Sequence, residues 1–166
     1  PLRARFSDTA GAGLSSTTGR GEIEDHLVTI TAPNTDFGDY VDFVQASSLA
    51  SATVKLGLES DAEAAGSSNA AASGDDVSGV DDEDAFTQTE IRANQTGIVT
   101  VKATNLSGAP AYLNVWIDWN KSNGVDSGEQ IVTDGVIPNG TTNADQSISV
   151  TPPVSTETGT VPMRVR

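Results

Sequence analysis

One short segment in the second half of the sequence concentrates oxygen-bearing side chains at regular spacing. The segment DWNKSNGVDSGEQ, residues 118–130, follows a hydrophobic stretch and carries acidic, amide or hydroxyl side chains at almost every second position. A twelve-residue calcium loop takes its ligands from positions 1, 3, 5, 7, 9 and 12, and position 7 contributes a backbone carbonyl. Counted from the first aspartate, these positions are Asp118, Asn120, Ser122, Gly124, Asp126 and Glu129.

The chemistry of these donors favours calcium over other metals. They are hard oxygens, the chain has no cysteine, and its only histidine, His26, is far away in the sequence. Ser122 and Asn123 depart from the usual residues at positions 5 and 6, so we expect a dissociation constant of about 10⁻⁴–10⁻³ M. The alternative is an Asx-rich turn whose side chains satisfy its own backbone.

A second candidate calcium site is an acidic stretch in the middle of the chain. Residues 59–85 have almost no core-forming side chains, and a loop of this length is usually functional or disordered. Clustered carboxylates repel one another unless a cation binds them. The alternative is a flexible acidic linker. The candidate ligands are Asp61, Glu63, Asp75, Asp76, Asp81, Asp82 and Asp84.

Composition narrows the classes of function. The chain has 23 acidic residues against 9 lysines and arginines, and this net charge of −14 repels nucleic acid and anionic lipid but attracts cations. No apolar run approaches the roughly 20 residues of a membrane helix. The absence of cysteine, the single histidine and the lack of a G-x-S-x-G motif argue against catalysis. We therefore expect no enzyme, no nucleic-acid partner and no membrane insertion.

Short strands must position these loops. The sequence EIEDHLVTIT at 22–31 is strand-like, residues 46–58 allow a turn or two of helix, and residues 130–137 predict two short strands around Asp134–Gly135. This pattern favours an all-β fold, an antiparallel β-sandwich of the Ig-like or jelly-roll-like kind, with long acidic loops. Apolar and polar residues alternate at 2–6, 99–103, 111–117, 148–150 and 161–165.

The two ends of the chain resemble each other. The sequence PLRAR at 1–5 is echoed by PMRVR at 162–166, which predicts one period of a tandem or polymeric array cut inside a strand. We divide the chain into a closing or donor strand segment, residues 1–35, and a sandwich body, residues 36–166. The body contains the acidic loop 59–85 and the calcium loop 118–129. Few lysines and many threonines, serines and asparagines favour an exported protein.

Several motifs together resemble a known family. GEIEDHLVTI, starting at Gly21, resembles the G-E-V-E-D-Y strand that names the GEVED domains of large secreted bacterial surface proteins. DFGD at 36–39, the acidic stretch and the segment 116–129 resemble further motifs of that family. Their order is that of a permuted repeat, with the closing strand first. The resemblance implies a structural, calcium-stabilised building block of an extracellular or cell-surface fibre.

The expected partners are copies of the same module. We expect residues 1–31 to pair with the sheet of a neighbouring repeat or subunit by β-strand addition. A head-to-tail contact that does not close produces a filament. The alternatives are a calcium-dependent adhesion module that binds a surface polysaccharide or a host protein, and an accessory domain of a secreted hydrolase. An exposed aromatic platform beside the metal loops would favour adhesion.

Overall fold

The computed structural model describes all residues except 12, 16, 18, 32, 61, 64, 75–84 and 157. The described residues form strands and no helix, so the all-β prediction is confirmed. None of them forms a helix that is long and apolar enough to span a membrane. The strands are β1 (Leu2–Ser7), β2 (Gly21–His26), β3 (Thr35–Phe37), β4 (Ser47–Leu49), β5 (Val54–Leu56), β6 (Phe86–Gln88), β7 (Gly97–Asn105), β8 (Ala111–Ile117), β9 (Gln130–Ile137), β10 (Thr141–Val150) and β11 (Met163–Val165).

The chain divides into two compact units, Pro1–Ala32 and Pro33–Arg166. The first unit is an antiparallel hairpin of β1 and β2, in which Leu2 lies opposite His26. The predicted strand over 22–31 therefore ends early, at His26. The physical reason is that β1 begins at Leu2, so residues 27–31 have no partner strand in this hairpin.

The second unit contains two larger antiparallel sheets and one small one. In the first sheet β7 lies between β10 on one side and β5 and β6 on the other. In the second sheet β8 lies between β9 and β11. The strands β3 and β4 pair separately. The central strands β7 and β8 carry most of the pairing, and the acidic loop 118–129 follows β8 directly.

Both larger sheets contribute to a single apolar cluster. Alternate residues of the two central strands are buried, and Val101 and Val115 are completely inaccessible to solvent. Alternation with period two places every second side chain on the same face of a strand, so the predicted period is confirmed in both strands. The buried members of the cluster are Ala85, Val99, Val101, Ala103, Leu113, Val115, Ile117, Trp119, Ile137, Ile148 and Val150.

Two local predictions are wrong. Residues 46–58 contain β4 and β5 instead of helical turns, because Ser47 pairs with Phe37 and Leu56 pairs with Ala103. Residues 130–137 form one continuous strand rather than a hairpin. Asp134 adopts a φ of 51°, and the pairing with β8 changes register at this point, so Asp134–Gly135 forms a bulge inside β9.

Candidate metal site

The loop between β8 and β9 begins and ends with a buried carboxylate. Asp118 is 1% exposed and Glu129 is 4% exposed. The Asp118 N–H donates to the Pro162 carbonyl at 3.0 Å, and the Ile117 N–H donates to the Glu129 carbonyl at 2.9 Å. Backbone bonds to the sheet therefore fix both ends of the loop.

The Glu129 side chain holds the two ends of the loop together. Its Oε1 accepts a hydrogen bond from the Trp119 N–H at 2.9 Å, and its Oε2 accepts one from the Asp126 N–H at 2.7 Å. Hydrogen bonds to a charged acceptor are stronger than those between neutral groups. One buried carboxylate thus closes a loop of twelve residues.

The Asp118 side chain organises the middle of the loop. Its Oδ1 accepts from the Ser122 N–H at 3.1 Å, and its Oδ2 accepts from the Asn123 N–H at 3.2 Å. The Asn120 Oδ1 also accepts from the Ser122 N–H, at 3.0 Å. Asn123 has a φ of 68°, a left-handed conformation that asparagine tolerates better than most residues. The chain therefore curls around the Asp118 carboxylate.

Within the described part of the chain, neither of these two buried carboxylates has a cationic side chain as a partner. The ion pairs among the described residues all involve other acids. Burying a charge without an opposite charge is costly. Each oxygen of Asp118 and Glu129 accepts one of the backbone hydrogen bonds above and keeps a second lone pair. These oxygens have the chemistry that a hard cation such as calcium requires.

The loop is nevertheless not arranged as a metal cage in this structure. No group of three or more histidine, aspartate or glutamate side chains is placed to hold a metal ion, as far as the described residues show. The Asp126 Oδ2 accepts from the Asn120 Nδ2 at 3.1 Å, and both side chains are exposed, as is Ser122. Gly124 is half-buried. The hydrogen bonds expected for an Asx-rich turn are present, and the calcium ligand set stays a prediction.

The structure describes part of the second acidic stretch. Among its predicted ligands, Glu63 is the only one that the structure describes. Glu63 is half-buried, its N–H donates to the Thr35 carbonyl at 2.8 Å, and its Oε2 accepts from the Phe37 N–H at 3.1 Å. Glu63 thus anchors β3. The predicted ligands that lie outside the described residues are Asp61, Asp75, Asp76, Asp81, Asp82 and Asp84.

The sequence prediction did not include Asp39 among the site residues. Asp39 is 6% exposed, and its Oδ2 accepts from the Gly74 N–H at 2.9 Å. The DFGD motif at 36–39 was the available signal, but acidic spacing alone does not show which carboxylate is buried. Asp39, two residues after β3, therefore holds Gly74 of the acidic stretch 59–85.

The tryptophans beside the loop do not form an exposed platform. Trp119 is 5% exposed and belongs to the apolar cluster, and Trp116 is half-buried. These two tryptophans therefore do not provide the exposed aromatic platform that would favour a glycan-binding surface.

The comparisons with known proteins concern the same region. Residues 112–166 match the family model of the GEVED domain. The match confirms the predicted resemblance over β8, the loop 118–129, β9, β10 and β11. No curated protein and no solved structure matches the chain.

Proposed function

We propose, from the match of residues 112–166 to the GEVED domain, that this chain is a structural module of an extracellular filament or tandem-repeat surface fibre. In this proposal the two larger sheets form a β-sandwich that carries no catalytic site. Calcium stabilises the loop 118–129, and successive modules associate head to tail by β-strand addition.

The observation that carries the calcium proposal is the burial of two carboxylates without a cationic partner among the described residues. Asp118 and Glu129 are 1% and 4% exposed. A calcium ion would be held by their free lone pairs, by the side chains of Asn120, Ser122 and Asp126 and by the Gly124 carbonyl. The Asp126 Oδ2 accepts one hydrogen bond from Asn120 and keeps a second lone pair for the ion. The bound ion would supply the positive charge that these carboxylates lack.

The expected affinity supports a location outside the cell. Calcium modules with dissociation constants of about 10⁻⁴–10⁻³ M are typical of extracellular proteins, and cytosolic sensors bind more tightly. A loop with three formal carboxylates, Asp118, Asp126 and Glu129, fits the weaker class. The acidic surface of the chain, with its net charge of −14, would also be screened by such calcium.

Calorimetric titration with calcium tests the site. The variant Asp118→Asn should bind calcium at least about tenfold more weakly than the wild type, because affinity in such loops depends on the number of charged ligands. Asp145→Asn is the matched control, since Asp145 is exposed and pairs with the Lys102 Nζ at 2.6 Å. Equal affinity in the wild type and Asp118→Asn would contradict the assignment.

The observation that supports strand addition is the exposure of apolar side chains in the β1–β2 hairpin and in the segment that follows it. A two-stranded hairpin is only marginally stable in water. Phe6 is 84% exposed, Leu27 is 92% exposed and Ile30 is 91% exposed. Exposed apolar side chains favour contact with another protein surface, which in this proposal is a neighbouring module.

Deletion of residues 1–31 tests strand addition. The full chain should form assemblies whose size in light scattering grows with protein concentration in the presence of calcium. The shortened chain should stay monomeric while its far-ultraviolet circular dichroism retains the β signal. Assembly of the shortened chain to the same size would contradict the proposal.

A further inference from the structure

Among the residues that the structure describes, no strand pairs with the outer edge of β11. This strand is the last of its sheet, with β8 on one side only. Asn114 of β8 and Arg166 exchange backbone hydrogen bonds of 2.7 and 2.9 Å. Hydrogen-bonded pairs alternate along an antiparallel ladder, so Met163 and Val165 direct their N–H and C=O groups away from β8. This outer edge offers donors and acceptors to another strand.

The strand β2 also has an unpaired edge in its own two-stranded sheet. The Asp8 N–H donates to the Arg20 carbonyl at 3.0 Å. By the same alternation, the backbone groups of Glu22 and Glu24 face β1, and those of Ile23 face away from it. The hairpin can therefore add to another sheet through β2 without losing its own pairing.

We propose that the outer edge of β2 in one copy adds antiparallel to the outer edge of β11 in a second copy. This inference rests on the proposed strand addition, and it specifies which two strand edges pair and in which register. The contact would extend the sheet of β9, β8 and β11 by the two strands of the hairpin. The opposed residues are Arg164 with Glu24, Val165 with Ile23, and Arg166 with Glu22.

Charge complementarity selects this register. It places two arginines of one copy opposite two glutamates of the other on the same face of the sheet. Opposite charges in directly opposed cross-strand positions stabilise the pairing. A slip by one residue would turn every side chain of β2 to the other face, so the two glutamates would no longer lie opposite the two arginines.

On the other face of the contact, the two opposed residues are apolar. Val165 is half-buried and packs against the apolar cluster of the second unit. It lines a cavity of about 1230 Å³, together with Met163, Leu56 and Phe86. Ile23 is 51% exposed in the hairpin. In the proposed register Ile23 would lie beside Val165, at the cavity that Val165 lines.

Among the described residues, one hydrogen-bond donor of the Arg164 side chain has no acceptor. Its Nη2 is buried and has no hydrogen-bond partner among the described residues, while its Nη1 donates to the Val44 carbonyl at 2.5 Å. Gly38 and Phe43 cover this guanidinium. Glu24 reaches Nη2 only after this cover moves. The pair of Arg166 and Glu22 needs no such movement, because both residues are exposed.

The acidic character of β2 gives the contact specificity. Charged side chains on an edge strand normally prevent pairing with other edges. Glu22 and Glu24 would repel a second copy of β2, whereas the arginines of β11 attract them. The contact is therefore selective, because the glutamates of β2 stabilise pairing with β11 and disfavour pairing with a second copy of β2.

Cysteine cross-linking between two full-length variants tests the register. The chain contains no cysteine, so each substitution introduces a single thiol. When Glu22→Cys and Arg166→Cys chains are mixed in the presence of calcium, the proposed register places the two thiols in a closely spaced, non-hydrogen-bonded pair. The control mixture combines His26→Cys with Arg166→Cys. His26 lies on the same strand and the same face, but four residues out of register.

The expected result is that the first mixture forms the disulfide-linked dimer at least about tenfold faster than the control, because the docked thiols have a higher effective concentration. Equal rates, in a wild type that still assembles, would overturn the register and leave strand addition standing. A wild type that stays monomeric at every concentration would overturn both proposals.

A charge exchange provides an independent measurement. Glu22→Arg should weaken self-association by about two- to thirtyfold, since an attraction becomes a repulsion. Arg166→Glu should do the same. The chain with both substitutions should regain most of the wild-type association. Failure of the double variant to recover, with each single variant still folded by circular dichroism, would contradict the pairing.

Discussion

At the residue scale, the buried amide of Asn105 uses both its nitrogen and its oxygen in hydrogen bonds. Asn105 is 0% exposed at the end of β7. Its Nδ2 donates to the carbonyls of Ala109 and Ile137, both at 2.8 Å, and its Oδ1 accepts from the Ser107 hydroxyl at 2.8 Å. One side chain thus joins the turn after β7 to the end of β9.

Replacement of this amide should be costly. We expect Asn105→Ala to lower the free energy of unfolding by about 2–4 kcal/mol, because the buried Ile137 carbonyl and the Ala109 carbonyl both lose their donor. Asn139→Ala is the control, since exposed Asn139 accepts one bond from the Gly108 N–H at 2.8 Å, and its loss should cost about 1 kcal/mol. Urea denaturation measures both. Equal losses in the two variants would contradict this role.

The aspartates of the hairpin predict a pH dependence. Hydrogen bonds from the Arg20 N–H and guanidinium lower the pKa of Asp8, and hydrogen bonds from Arg3 lower the pKa of Asp25. A carboxyl with a lowered pKa in the folded state contributes stability above its unfolded pKa of about 3.9. That contribution is lost as the pH falls through the lower folded value.

We therefore expect the hairpin to lose order at acidic pH. The chemical shifts of the β1 and β2 amides should move toward coil values as the pH falls below about 4. In a chain with Asp8→Asn and Asp25→Asn this pH dependence should be flatter. An unchanged transition in the double variant would show that other groups control it.

The sequence predicts the loop residues but not their separate roles. Spacing alone identifies Asp118 and Glu129 as the first and last positions of a calcium-type loop. It does not show that these two are buried and bind the backbone, or that Asp126 stays exposed. Burial depends on where β8 leaves the core, and this position is set by tertiary packing. For the residues between Asp118 and Glu129, the sequence shows only which side chains carry oxygen atoms that could bind a metal.

At the scale of single elements, the bulge in β9 is the feature that alternation missed. The Asp134–Gly135 dipeptide is a frequent hairpin turn, yet here Asp134 is a bulged residue inside the continuous strand β9. Its N–H donates to the Asn114 Oδ1 at 3.0 Å, and its Oδ1 accepts from the Asn114 Nδ2 at 3.2 Å. The long strand β8 provides a partner on both sides of the dipeptide, so the chain continues instead of turning.

The bulge gives a test of backbone strain. Asp134 has a φ of 51°, which β-branched residues adopt only at a cost. Asp134→Val should destabilise the chain by about 1–3 kcal/mol in thermal or urea unfolding. Thr133→Val on the same strand, exposed and outside the left-handed region, should stay within about 0.5 kcal/mol of the wild type. Similar values for the two variants would argue against strain at the bulge.

The success of the alternation pattern varies with the strength of the periodic signal. It identifies β7, β8 and β10, where one face of each strand lies in the apolar cluster. It fails for residues 46–58, whose small and polar side chains carry little periodic signal. There β4 and β5 form because β3 and β7 offer them edges. Short edge strands depend on their partners more than on their own sequence.

At the scale of the whole molecule, the balance of charge makes calcium the central element of the proposal. The chain carries 23 acidic residues against 9 lysines and arginines. The two buried carboxylates of the loop 118–129 have no cationic side chain to neutralise them among the described residues. A module built this way would be stable in calcium and weaker without it. Such a module suits a fibre outside the cell.

The most direct measurement is the unfolding of the full chain in calcium and in chelator, for the wild type and for Glu129→Gln. Calcium at ten times its dissociation constant should stabilise the wild type by about 1.4 kcal/mol, and at a hundred times by about 2.7 kcal/mol. Glu129→Gln should show little of this gain, and the control Asp145→Asn should show all of it. A wild type that unfolds at the same temperature in calcium and in chelator would contradict the account.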